Sequence, residues 1–338
     1  MIRLNNTWSY LPFALLIILF ASCEKDAVEP QVEKAITFEG LKARMPQNYN
    51  ENILSLSLED LKSQYTSLKG STNSKSSAEE IDVSMDEMAS IISEIMKKYP
   101  DTDELTATDV ARVQEDFNGI SKQEIHENID AITDFYDAVL RYELVNALAD
   151  FQPQRNSGAR TSDYFGYDIS AAEAWALIWH PRLIKPTRDA TEKAKAFTSE
   201  YFPGQGAWRT KADAFRHGIW NALLAKYVGD KKNKISKCTD WAKTFTDKHE
   251  EAAVKMPDVT DAEFRLDKDM DYHNNKIGRD YFSSVAWVDK RKWYQTAVVK
   301  SPSDDTMADA IFARTNSARK VTTKAQMDSF PNNLVYLF

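Results

Sequence analysis

Residues 211–229, KADAFRHGIWNALLAKYVG, restrict the chain more than any other stretch. At about 100° per residue, Asp213, His217, Trp220, Asn221 and Leu224 share one side of a helix, and Phe215, Ile219 and Ala222 cover the other. Between Ala214 and Ala225 the sole formal charge is Arg216, so the helix lacks the broad solvated face of a surface helix. Both sides call for burial. Thr210 with Asp213 fits the Thr-x-x-acid cap, and Gly229 stands where a left-handed C-terminal residue is wanted. The cap accounts for Asp213, but it accounts for neither His217 nor Asn221.

Two later helices repeat the pattern. In residues 236–256, Cys238, Trp241, Ala242, Phe245, Ala252 and Met256 form an apolar stripe with His249 at its centre and Glu250 at its edge. In residues 263–287, Met270, Ile277 and Tyr281 define the buried side, Asn274 lies among them, and Asp271 and Gly278 sit on one flank. Asparagine competes for backbone hydrogen bonds and is a poor helix former, so an inward one needs a partner. Gly278 permits another helix to pack close. An unsatisfied buried polar group costs roughly 1–3 kcal/mol, a large share of a typical stability of roughly 5–15 kcal/mol. His217, Asn221, His249 and Asn274 are therefore expected to meet one another, with Asp213, Glu250 and Asp271 nearby.

The rest of the chain predicts an all-α fold: a tether, a small helical module and a C-terminal multi-helix domain. Residues 1–22 carry one positive charge, Arg3, ahead of an apolar run from Leu11 to Ala21 that is short for a membrane span and reads as an export signal. Residues 23–80 include SLKGSTNSKSSAEE and read as a mostly disordered tether, interrupted by a short helix in SLEDLKSQYTSLK. Residues 81–151 read as the helical module, with Met85, Met88, Ile91, Ile92 and Ile95 on one stripe and a long helix over 121–148. DTDELTATD, at 101–109, lacks the glycine and terminal glutamate of a calcium loop and reads as a helix cap. QPQRNSGARTSD, at 152–163, marks a boundary, and the C-terminal domain occupies 160–338, closing on a short strand in LVYLF. A net charge of −8 argues against a nucleic-acid partner. The chain has two cysteines, so if Cys23 is acylated no intramolecular disulfide remains to Cys238.

Three resemblances add to this reading. FASC, ending at Cys23, resembles the lipobox of bacterial lipoprotein signals, with Phe20 where leucine is usual, and it implies a lipid-modified Cys23 and membrane attachment at the cell envelope. KADAFRHGIWNALL, KHEEA and MDYHNNKIGRDY resemble the signature blocks of an uncharacterised bacterial domain family found at the C-terminus of lipoproteins, over about residues 165–285. That resemblance implies an all-helical domain and the candidate positions Asp213, Arg216, His217, Asn221, His249, Glu250, Asp271, Asn274 and Asn275, and it brings no activity with it. The layout also resembles the metal-dependent phosphohydrolases named for their His-Asp pair, with His217, His249 beside Glu250, and Asp271 in those roles. Glu250 departs from that family's aspartate.

Two functional readings follow. One is an envelope hydrolase in which His217, His249 and Asp271 hold a divalent metal ion and Glu250 serves as base or outer partner, Asp213, Arg216, Asn221, Asn274 and Asn275 forming the supporting polar network. The other is a non-catalytic lipoprotein whose polar cluster fixes helix register. Acylation at Cys23 has a direct test: Cys23→Ala should abolish metabolic labelling with palmitate and release the protein from the membrane fraction, and retention after a carbonate wash would contradict it.

Overall fold

Side-chain caps open most helices of the computed structural model, which describes residues 35–46, 49–70, 81–151, 169–205, 208–290 and 297–338. Helices α1 (Leu58–Gly70), α2 (Met85–Met96), α3 (Ala107–Asp116), α4 (Lys122–Glu127) and α5 (Ile129–Asp150) precede α6 (Ala171–Trp179), α7 (Ile184–Tyr201), α8 (Lys211–Tyr227), α9 (Ile235–Ala252), α10 (Asp261–Val285), α11 (Asp304–Thr315) and α12 (Lys324–Asp328). In α2, α3, α4, α6 and α10 a Ser or Thr caps the first turn while the acid three residues on reaches back, so both halves of the box form. The cap expected in DTDELTATD is the Thr106–Asp109 box of α3. The helical run expected over 121–148 is divided at Asn128, whose side-chain amide donates to Glu124 O at 2.8 Å while its backbone leaves the helical region.

The fold is all-α, as expected, with three two-stranded sheets. Strands β1 (Ala35–Phe38) and β2 (Leu41–Arg44) pair antiparallel, as do β3 (Trp287–Asp289) and β4 (Val298–Lys300). Strand β5 (Arg319–Lys320) pairs parallel with β6 (Val335–Tyr336), the strand anticipated in LVYLF. No helix among the described residues is long and apolar enough to cross a membrane.

The segment read as tether contains more structure than its composition suggests. Residues 35–70 hold the β1–β2 hairpin and α1, whose Leu61 and Tyr65 are buried against α5 and the edge of Trp175. Residues 1–22, Cys23, and residues 71–80 of the tether lie outside the described residues, as does the boundary at 152–163. The two helical modules read from the sequence share one hydrophobic core, to which α1, α2 and α5 contribute together with α6 to α11. Helix α5 makes this so because it is apolar on more than one side. Leu140, Leu144, Val145 and Leu148 enter the shared core, and Ile132, Phe135, Tyr136 and Val139 fill a second one beneath β1–β2, α3 and α4.

Helix α8 runs through the centre, packed by α7, α9, α10 and α11, with thirteen of its seventeen residues buried. This is the environment that its lack of a solvated face demands. Helix α10 crosses it at Gly278, where a Cβ would be driven into the backbone carbonyl of Gly218 and would stand 3.1 Å from Asn221 Cβ. Gly229 differs from expectation: its φ is not positive, and it begins a 3-10 turn. Its lack of a side chain serves close packing, because a Cβ there would strike Val299 O. Since neither helix backbone can yield locally, Gly278→Ala should lower the unfolding free energy by about 3 kcal/mol or more, as severe overpacking does, measured by urea denaturation.

A candidate metal centre on helices α8, α9 and α10

Positions four apart on three helices aim polar side chains at one point. Helix α8 presents Asp213, His217 and Asn221, helix α9 presents Thr246 and Glu250, and helix α10 presents Asp271, Asn275 and Arg279. Asp213, His217, Asn221, Thr246, Glu250 and Asn275 are all buried to within 2% exposure. Asp271 and Arg216 reach the surface, with side chains 18% and 25% exposed.

A one-way chain of hydrogen bonds orients the histidine ring. Arg279 Nη1 donates to Asn221 Oδ1 at 2.7 Å and Thr246 Oγ1 donates to the same oxygen at 3.2 Å, so the Asn221 amide must point its Nδ2 the other way. That Nδ2 donates to Asn275 Oδ1 at 2.6 Å and to His217 O at 3.2 Å. Asn275 Nδ2 in turn donates to Glu250 Oε1 at 3.2 Å. Asn275 Oδ1 is thereby fixed as an acceptor, and His217 Nδ1, 3.1 Å away, must carry a proton and donate to it. The network assigns the tautomer. Nε2 is the nitrogen left to act.

Nε2 is contested. It lies 3.0 Å from Asp271 Oδ1, 3.5 Å from Asp213 Oδ1 and 2.6 Å from Arg216 Nη2, which also donates to Asp213 Oδ1 at 2.7 Å. A neutral ring accepts from Arg216 but turns its lone pair toward two carboxylates, whereas an imidazolium pairs with the carboxylates but sets its N–H against the guanidinium. Burial and Arg216 pull the His217 pKa down, yet Asp271 and Asp213 outweigh them and hold it up to about 10. Burial likewise opposes ionisation of Asp213, but Arg216 and then His217 prevail and hold it down to about 2. Burial, followed by the charge on Asp271, pushes the Glu250 pKa up. Asp271 Oδ1 itself is buried, and the group that faces it is His217 Nε2 at 3.0 Å. Ligand atoms of Asp213, His217 and Asp271 lie within 4.8 Å of one another, a spacing a single cation can bridge.

Residues 174–305 match the family model of a domain of unknown function, DUF6973. Searches of curated proteins and of solved structures each found no match. The DUF6973 region carries every member of the cluster, from Asp213 to Arg279.

Two expected members stand elsewhere. His249 Nδ1 lies 3.2 Å from Glu173 Oε1 and its ring meets the edge of Trp220 at 5.2 Å, so His249 is replaced by Asp213 in the set of converging ligands. The helical-wheel arithmetic put His249 at the centre of the buried stripe and Glu250 at its edge, whereas the His249 side chain is 31% exposed and Glu250 is the buried residue. Asn274 turns to the C-terminal strand, donating to Val335 O at 2.9 Å and accepting from Val335 N at 3.0 Å, which satisfies it without the cluster. Glu250 stands on the Nδ1 side of the ring, 3.6 Å from that nitrogen, and so backs the histidine from behind.

Sequence reasoning passed over Arg279, Thr246 and Arg209. Arg279 follows Asn275 by one turn and Thr246 precedes Glu250 by one turn, so helical spacing from a known member was a usable signal. Arg209 had no such signal: it lies in a loop at φ 61, pairs through two nitrogens with the Asp267 carboxylate, and donates its N–H to Asp213 Oδ2 at 2.7 Å.

A folded pKa above the unfolded value of about 6.5 means that the pairing of His217 stabilises the protein fully below that pH and ceases to do so as the pH rises through about 10. In chelator-treated protein the His217 Cε1–H resonance should accordingly titrate near 10. A midpoint near 6.5 would show that Arg216 governs the ring.

Proposed function

We propose that the protein is an envelope lipoprotein, anchored through Cys23, whose C-terminal helical domain is a divalent-metal-dependent hydrolase with Asp213, His217 and Asp271 as the metal ligands. The observation that carries this reading is the convergence of His217 Nε2, Asp213 Oδ1 and Asp271 Oδ1 within 4.8 Å of one another, with Asp271 Oδ1 buried 3.0 Å from Nε2. One nitrogen and two carboxylate oxygens suit a first-row divalent cation such as zinc or manganese. Such a cation supplies Lewis acidity and lowers the pKa of a bound water.

The protein's own groups divide the remaining work. Asn275 and Glu250 lock the ring from the Nδ1 side, the outer-partner arrangement that fixes which nitrogen ligates. Arg216 stands where the cation would sit, and its partial exposure leaves it room to withdraw toward solvent. Substrate access falls on the Asp271 and Arg216 edge, the most exposed part of the cluster, where the guanidinium can bind an anionic group. Glu250, deeply buried and raised in pKa, is a proton reservoir behind His217 rather than the base that meets substrate.

The non-catalytic reading keeps one observation in its favour. Asp213 and His217 are at most 2% exposed, and neither of the two cavities described, of about 670 and 310 Å3, is lined by a cluster residue. Metal analysis by inductively coupled plasma mass spectrometry, joined to a phosphodiester and carboxylester hydrolysis screen, separates the readings. One divalent ion per chain, lost in His217→Gln and Asp271→Asn together with about 100-fold or more in turnover, is the expected result. Bound metal without turnover would make the centre structural, and a metal-free protein that cannot be loaded would end the metal reading.

A further inference from the structure

The guanidinium of Arg216 is already engaged with the atoms that would hold a metal ion. Its Nη2 lies 2.6 Å from His217 Nε2 and donates to Asp213 Oδ1 at 2.7 Å, while Nε2 stands 3.0 Å from Asp271 Oδ1. Two of the three ligand atoms that converge within 4.8 Å are thus turned to a cation of the protein itself. A divalent ion and a guanidinium in contact with the same atoms would repel each other strongly in a site shielded from water. The centre therefore holds one or the other.

The ligands are held from behind, whereas Arg216 reaches the surface. Asp213 Oδ2 accepts the Arg209 N–H at 2.7 Å and His217 Nδ1 donates to Asn275 Oδ1 at 3.1 Å, so neither ligand follows the guanidinium when it leaves. The Asp213 and His217 side chains are 3% and 1% exposed, against 25% for Arg216. A long arginine side chain changes rotamer without moving its helix. Both contacts with the centre run through the one nitrogen Nη2, whereas a guanidinium grips an oxyanion by two parallel N–H bonds. An oxyanion arriving from solvent thus gives the outward guanidinium a partner in place of Asp213.

We propose that Arg216 is a displaceable plug that couples metal binding to substrate binding. Turned inward it fills the centre, and turned outward it binds an oxyanion group of the substrate while the metal takes its place. This rests on the metal-dependent reading above and adds to it a substrate class, an oxyanion-bearing molecule. Metal and oxyanion each favour the outward arrangement, so each raises the population that the other needs. Linkage makes the effect reciprocal. It also sets a ceiling: a saturating oxyanion tightens metal binding by no more than the factor by which inward Arg216 weakens it, the same factor that removal of the guanidinium reveals.

Titration of the full chain with Mn2+, followed by the electron paramagnetic resonance of unbound Mn2+, tests the coupling, with sulfate as the oxyanion probe and ionic strength held constant by sodium chloride. Saturating sulfate should tighten Mn2+ binding to the wild type by about tenfold or more. Arg216→Gln should bind Mn2+ about tenfold or more tighter than the wild type without sulfate, and sulfate should then add nothing. Should the glutamine variant fail to fold, Arg216→Met takes its place, because its unbranched side chain keeps the packing of the arginine stem. Unchanged or weaker Mn2+ binding in the variant would overturn the plug and leave the metal centre standing. A sulfate effect that survives in the variant would mean that the anion meets the metal directly, and it would overturn the plug equally, as would a wild type indifferent to sulfate. If neither protein binds Mn2+, the plug and the metal-dependent reading beneath it fall together.

Discussion

The crossing of α8 and α10 at Gly218 and Gly278 is the contact on which the rest of the structure depends. Without a Cβ on Gly278, the backbone of α10 rests on the Gly218 carbonyl, and the two helices approach more closely than ordinary side chains allow. Everything polar in the centre follows from that approach. His217 precedes Gly218 by one residue, and Asn275 precedes Gly278 by three, so the ring of one helix and the amide of the other meet at 3.1 Å. A Cβ on Gly218 would stand 3.2 Å from the Ile311 side chain and 3.4 Å from that of Leu334, so α11 and the C-terminal segment are seated on the same crossing.

Burying so many polar groups is tolerable because their hydrogen bonds run in one direction. From Arg279 through Asn221 and Asn275, each donor finds an acceptor and each amide orientation is fixed by its neighbour, which leaves no degenerate arrangement of the His217 ring. The order breaks down at one point only, where Nε2 faces the carboxylates of Asp213 and Asp271 and the guanidinium of Arg216 at once. A fully satisfied network argues for scaffold, whereas a network complete except at one exposed corner argues for a group that belongs there. Arg209 supports the same corner from outside: its N–H holds Asp213, its side chain holds Asp267, and its carbonyl accepts from Leu337 and Phe338, so the chain terminus braces the carboxylate.

By itself the sequence determined the helical class, the caps that start α3 and α8, the burial of α8 on all sides, and the close approach at Gly278. These rest on local periodicity and on residue chemistry that acts within a few positions along one helix. It also determined that His217, Asn221, His249 and Asn274 needed company, with Asp213, Glu250 and Asp271 nearby, whereas Asn275 entered only through the family resemblance. Tertiary structure alone decided which company each found: a helical wheel assigns a side to His249 and Asn274 but not the helix that stands opposite, so Glu173 took one and the Val335 backbone took the other. It likewise decided that α1, α2 and α5 join the C-terminal helices in one core, because α5 is apolar on two sides and an apolar face is buried by whatever packs beside it. The left-handed Arg209 and its pairing with Asp267, 58 residues away, had no local signal, since a loop residue's partner is set by chain path rather than by neighbouring sequence.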